Sequence, residues 1–282
     1  IYDVIGGEKT AINYESIIRQ AYKANPKMNI ITVFTMDNNI AYNVINKNGN
    51  EDSEYFAAQR AVAAHYGLPQ IDVGKALIKV INDKYVAAGK TFSASDSSDA
   101  SSIWRQYITD SCHPGDAGYQ IYADTVTDYL EQQLGENTSH TAAAVSVDLE
   151  STPSYASTKG NDKNLKENGR YISFKDAGFT QADLHGWTLS TKAGESSLSS
   201  SNGTISTNLT GASFAFKFTG TAVGFFNFGK PSSGTINYTI TSTADPEKQY
   251  EGSVSLVKNY NGGLPFPGEL MTGLDNEEWL VE

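Results

Sequence analysis

From Gly169 onward the apolar residues of this chain recur at every second position, whereas before residue 136 they follow helical spacing interrupted by short β-branched runs. One layer cannot satisfy both patterns, because side chains repeat about every 2 residues on a strand and about every 3.6 on a helix. Two architectures in series are therefore expected: an α/β domain over 1–135, a linker over 136–165 and an all-β domain over 166–282. A length of 282 residues suits two domains.

In the first half, Ile12, Ile17, Ile18, Ala21 and Tyr22 form the apolar side of a helix over 11–24 that Asn25-Pro26 stops. Residues 28–36, nearly continuous and β-branched, read as a buried parallel strand. A helix over 52–66 opens on Asp52 or Ser53 and closes at Gly67, Pro69–Val73 is a short strand, and a helix over 74–88 ends at Gly89. A Ser/Asp-rich loop over 92–102 precedes a last helix, about 115–134, that Gly135 ends. This alternation predicts a parallel sheet flanked by helices, of the flavodoxin-like, doubly wound kind. Only two strands are clear where such sheets carry about 4–6, so an incomplete sheet is expected, its first strands lying upstream of Ile1. The missing initial Met and the apolar ending Trp279–Glu282 also suggest an internal piece of a longer protein.

The second half alternates strands with Gly, Ser and Pro turns: Ser213–Phe218, Ala222–Phe228, Thr235–Ile240 and Ser253–Val257. The expected form is an antiparallel β-sandwich, jelly-roll-like. The linker is expected to hold one short strand near Ala143–Leu149.

A net charge of −11 argues against a nucleic-acid partner, because phosphates would be repelled. No run approaches the ~18 apolar residues of a membrane span, and no basic stretch followed by an apolar one marks a signal peptide within the chain. The single cysteine, Cys112, excludes an intrachain disulfide.

The chemistry concentrates in Asp110-Ser-Cys-His113-Pro-Gly-Asp-Ala-Gly-Tyr119. A turn brings residues i and i+3 together, so the Asp110 carboxylate can orient the His113 imidazole and leave its second nitrogen for a nucleophile, as a hydrolytic triad requires. Pro114 suits the first position of a helix and Asp116 its positive end. The competing reading is a plain turn, with Asp110 as its cap and His113 on the surface. The context favours the catalytic reading: the pair follows a Ser-rich loop with Trp104 and Tyr107, precedes a helix and closes an α/β unit.

This block resembles the D-x-x-H-P motif of the SGNH (GDSL-type) esterases and acylhydrolases. Asn13–Gln20, Lys27–Phe34, Ala63–Leu68 and Ile71–Val73 are similar to the chain that precedes the motif in that family, and the likeness covers about residues 1–135. It implies His113 as general base, Asp110 as its orienting acid, and an extracellular or cell-surface bacterial protein that cleaves acyl esters, of acetylated carbohydrate or lipid-like molecules. The family's nucleophilic serine, oxyanion-hole glycine and asparagine blocks have no counterparts here, which implies a chain inactive by itself. No cofactor is implied. The β half looks like the accessory domain of some bacterial members of the family.

Other candidates carry less. Gly194-Glu195-Ser196 lacks the strand–elbow–helix setting of a nucleophile. Cys112 is expected to be a small buried thiol pointing away from His113. His65, His140 and His185 form no metal spacing, so no zinc site is expected. Asp37-Asn38-Asn39 reads as a turn. The alternating Phe214, Phe216, Phe218, Phe225, Phe226 and Phe228 read as core rather than as a sugar-stacking platform, for which Trp187 and Tyr260 are better, though weak, candidates. A polysaccharide-binding or scaffold protein with a degenerate hydrolase domain is the alternative function.

Overall fold

The computed structural model describes residues 6–36, 52–110, 112–135, 148–160, 165–174, 176–190, 204–257 and 266–282. The chain divides into two compact units, Ile1–Glu167 and Asn168–Glu282.

The first unit runs α1 (Gly6–Ala24), β1 (Thr32–Phe34), α2 (Glu54–His65), β2 (Gln70–Asp72), α3 (Val73–Ala87), α4 (Ile103–Tyr107) and α5 (Asp116–Leu134). The caps explain the boundaries. The Ser53 hydroxyl accepts from the Phe56 N–H at the start of α2, and the Asp72 carboxylate accepts from the Lys75 N–H at 2.8 Å at the start of α3. Gly67, Gly89 and Gly135 follow the helix ends with positive φ. Strands β1 and β2 pair in parallel, with Val33 opposite Ile71. Where α3 meets β1 the backbones nearly touch: a Cβ on Gly74 would lie 2.4 Å from the Thr35 carbonyl oxygen. No side chain fits there.

Strand β1 is shorter than the 28–36 read from sequence, and its faces differ. Thr32, Phe34 and Met36 are buried, while Ile31 and Val33 are 42% and 49% exposed. A parallel strand is buried on both sides only when helices cover both faces. Among the described residues, one face of β1 is covered.

Two cores fill this unit. One joins Leu77, Ile78, Ile81 and Tyr85 of α3 to Met36, Phe92, Trp104 and Ile108. The other joins Ala11, Ile18 and Tyr22 of α1 to Val62, Ala63 and Leu68, with Tyr66, Leu149 and Tyr155 at its margin. Glu15 sits among these apolar groups, fully buried. Its Oε1 accepts from the Tyr66 hydroxyl and the Tyr155 N–H, each at 2.5 Å, and its Oε2 accepts from the Ala156 N–H at 2.8 Å. Arg19 donates to the Tyr66 oxygen at 3.1 Å and pairs with Glu167, which Lys23 also holds at 2.9 Å. Lys166 N–H donates to Ser16 Oγ at 2.9 Å. The described residues between Asp148 and Glu167 are thus fastened to α1, although their composition reads as a linker. His65 serves the same packing, with a ring nitrogen 2.7 Å from the Pro153 carbonyl oxygen.

The second unit holds β3 (Thr188–Ser190), β4 (Thr204–Ser206), β5 (Phe216–Asn227), β6 (Thr235–Ser242), β7 (Gln249–Ser255) and β8 (Phe266–Val281). Strands β3 and β4 form an antiparallel pair, and the rest form an antiparallel sheet in the order β5-β8-β6-β7. The two Phe-rich runs read from sequence merge into the single β5, whose register with β8 slips between Gly220 and Ala222 and between Val223 and Gly224. Period-two patterning marks only the end of β8, since Pro267, Gly268, Gly273 and the acidic Asp275, Glu277 and Glu278 interrupt it. Lys248 holds that acidic stretch, pairing with Asp275 and with Glu277 at 2.6 Å. Ile240, Leu274, Trp279 and Val281 form the buried core. Of the phenylalanines read as core, Phe216 and Phe218 pack against this cluster and half-buried Phe214 packs edge-on against Phe174, Phe179 and Trp187, whereas Phe226 is 49% exposed and lies outside the core.

Candidate active site

The Asp110–His113 turn hangs between α4 and α5. Trp104, fully buried, anchors it from α4: its indole N–H donates to the Asp110 carbonyl oxygen at 3.0 Å. Tyr85 of α3 fixes Trp104 in turn, its hydroxyl accepting from the Trp104 N–H at 3.1 Å. The turn closes on itself through an antiparallel bridge between Ile108 and Pro114 and through the Thr109 N–H, which donates to the His113 carbonyl oxygen at 2.8 Å.

Within this frame the Asp110 carboxylate does two jobs. Oδ1 accepts from the N–H groups of Cys112 and His113, both at 2.8 Å, as an Asx cap does. Oδ2 faces His113 Nδ1 at 2.6 Å. The capping and the triad readings of the sequence therefore describe one geometry. A carboxylate partner stabilises the tautomer with hydrogen on Nδ1 and leaves the lone pair on Nε2. The His113 and Asp110 side chains are 70% and 50% exposed.

The backbone N–H bonds of Cys112 and His113, and then the imidazole, hold the Asp110 carboxyl far below the usual carboxylate range. Its folded value lies below its unfolded one, so the stabilisation it supplies is present above ordinary carboxylate values and disappears only as pH falls through the lowered value. We expect Asp110 to remain ionised at about pH 3.9, where exposed aspartates are half protonated. An NMR titration of its carboxyl carbon checks this, and a midpoint in the ordinary range would contradict the geometry.

Gly118, in the first turn of α5, sets the distance between the helix and the motif. A Cβ there would lie 2.4 Å from the Tyr107 carbonyl oxygen and 2.8 Å from Pro114 Cβ. Tyr107 O also accepts from the Gly115 N–H at 2.8 Å. Gly118→Ala is expected to cost about 1–3 kcal/mol, the usual result of overpacking. It should also displace the turn, read as a lower melting temperature and altered Cys112 and His113 amide shifts.

Cys112 departs from expectation. It is half-buried at the margin of the α3–α4 core, yet its Sγ lies 3.5 Å from His113 Nδ1. Among the described residues, Asp110, Cys112 and His113 form a group whose ligand atoms all lie within 4.8 Å of one another. The Tyr85–Trp104–Asp110 relay also escaped the sequence reading, for which the only signal was an aromatic pair upstream of the motif. Asp37–Asn39, His140, Gly194–Ser196 and Tyr260 lie outside the described residues.

With these features in place the chain can be compared with known proteins. Its first unit sets a short parallel sheet against helices, and its second is an antiparallel β unit. The crystal structure of a two-domain esterase (CEX) active on acetylated mannans matches with a TM-score of 0.57 at 17% identity, over 96% of this chain. The match covers 62% of the neighbour, so this chain spans less than two thirds of that protein's length. No family model matches the sequence. No curated protein matches it either.

Proposed function

We propose that this chain carries the base and the orienting acid of a serine-type ester hydrolase of the SGNH (GDSL-type) kind, acting on acyl esters of a polysaccharide such as acetylated mannan. The observation that carries the reading is the 2.6 Å contact between Asp110 Oδ2 and His113 Nδ1 on an exposed turn at the mouth of α5. The fold shared with an esterase supports it.

In this reading a serine hydroxyl attacks the acyl carbonyl while its proton passes to His113 Nε2, and Asp110 stabilises the imidazolium so formed. Collapse of the tetrahedral adduct releases the sugar alkoxide, which takes that proton back from Nε2. A water then repeats the sequence on the acyl-enzyme and frees the carboxylic acid. The serine and the oxyanion donors come from polypeptide outside these 282 residues. That same polypeptide completes a flavodoxin-like sheet beside β1, where Ile31 and Val33 present apolar surface. The second unit is an accessory β-sandwich, and the protein works outside the cell.

The alternative, polysaccharide binding without hydrolysis, draws support from Tyr171 and Phe226, half-exposed aromatics packed edge-to-face at 5.7 Å. The deciding experiment is release of acetate from acetylated mannan by the full-length protein, with and without His113. Binding with no release at any pH would replace the hydrolase reading with the alternative.

A further inference from the structure

The thiol beside the base has no part in the hydrolase reading. It is not a second nucleophile: Sγ lies nearer to Nδ1, which the carboxylate already engages, and 4.0 Å from Nε2. A cysteine–histidine dyad needs the thiol against the ring nitrogen that the carboxylate leaves free.

We propose that Asp110 Oδ2, Cys112 Sγ and His113 Nδ1 form a site for a borderline-soft divalent cation, zinc being the best match. One thiolate, one imidazole and one carboxylate are a donor set for zinc; magnesium and calcium take oxygen ligands only. Tetrahedral zinc bonds of about 2.0 Å to nitrogen or oxygen and about 2.3 Å to sulfur place the nitrogen and sulfur about 3.5 Å apart and the nitrogen and oxygen about 3.3 Å apart. The turn already sets Nδ1 and Sγ 3.5 Å apart. Nδ1 and Oδ2, at 2.6 Å, must open by about 0.7 Å to reach that separation as their hydrogen bond gives way to the ion. The exposure of both side chains provides an entry path and leaves the fourth position to water.

Binding moves protons in a defined way. The thiol releases one proton to solvent as the metal–sulfur bond forms. The ring proton leaves Nδ1, where the metal binds, and resides on Nε2. Resting on the hydrolase reading, this has a consequence: an Nε2 that carries hydrogen cannot accept a proton from serine, so the cation switches the base off.

Cobalt(II) is the probe, titrated into the full chain. A thiolate-to-cobalt charge-transfer band and the visible bands of a four-coordinate ion are expected, and one equivalent of zinc should abolish both. Calorimetry should show zinc affinity falling at least tenfold in Cys112→Ala, Cys112→Ser and Asp110→Ala, with melting curves identifying any variant that fails to fold. Absence of the charge-transfer band, or zinc affinity within twofold of the parent in folded Cys112→Ala, would overturn the site. Zinc inhibition of acetate release by the full-length protein separates the two ideas. Cobalt bands without any hydrolysis uphold the site and overturn the hydrolase, whereas hydrolysis without bands overturns the site alone.

Discussion

In the full-length protein, His113→Ala is expected to lower kcat for acetate release by on the order of 10⁴-fold or more, with little change in KM. The loss falls on kcat because the imidazole takes its proton only as the tetrahedral adduct forms, so it contributes nothing to holding the ground state. Asp110→Asn is the sharper variant. An amide oxygen can still accept from the Cys112 and His113 N–H groups now bonded to Oδ1, so the turn should persist. The charge facing Nδ1 disappears, and the imidazolium loses its counter-ion. A drop of roughly 10²–10⁴-fold is expected, without a matching loss of stability. Steady-state kinetics on a soluble acetyl ester, with melting curves beside them, make the comparison. Activity within threefold of the parent in His113→Ala would remove the base from the mechanism.

The second large effect concerns stability. Glu15→Ala strips three buried donors of their acceptor: the Tyr66 hydroxyl and the N–H groups of Tyr155 and Ala156. Each buried group left unpaired costs about 1–3 kcal/mol, and removal of a buried charged partner costs about 3–5 kcal/mol overall. For a unit of this size that corresponds to a fall in Tm of roughly 10 °C. Glu15→Gln keeps the shape but turns one acceptor into a donor facing a donor, so it should also destabilise, by about 2 kcal/mol. Hydrogen exchange gives a local readout, since the Tyr155 and Ala156 amides should lose protection before the α3 core does. Denaturant midpoints unchanged within about 0.5 kcal/mol in both variants would show that the clamp contributes nothing. The clamp also has a pH limit. Burial, followed by the hydrogen bond to Glu15, pushes the Tyr66 phenol well above its ordinary value. A folded value raised in this way gives stability that is complete below about pH 10 and is lost as pH climbs through the raised value.

The two predictions differ in how far the sequence foretells them. Asp110 and His113 are three residues apart, and their meeting needs only one turn, so the pattern D-x-x-H-P-G is enough to anticipate it. Glu15 is different. Ala11, Glu15, Ile18 and Tyr22 lie on one face of α1, so a carboxylate in an apolar stripe is visible from spacing alone. Nothing in that spacing names partners some 140 residues away.

The sequence by itself determined what is local: the helix ends at Ser53 and the glycines, the change of period near residue 169, and the pairing of Asp110 with His113. Each is set by contacts within about one helical turn, where chain geometry leaves few choices. Tertiary structure alone decided which distant segments share a proton or a strand edge. It fastened Tyr155 and Ala156 to Glu15, merged two Phe-rich runs into β5 by pairing them with a Gly- and Asp-interrupted β8, and left one face of β1 apolar and exposed. Such contacts form because buried donors must find acceptors and apolar faces must find cover wherever the chain can supply them, and that requirement has no signature in any short window of residues.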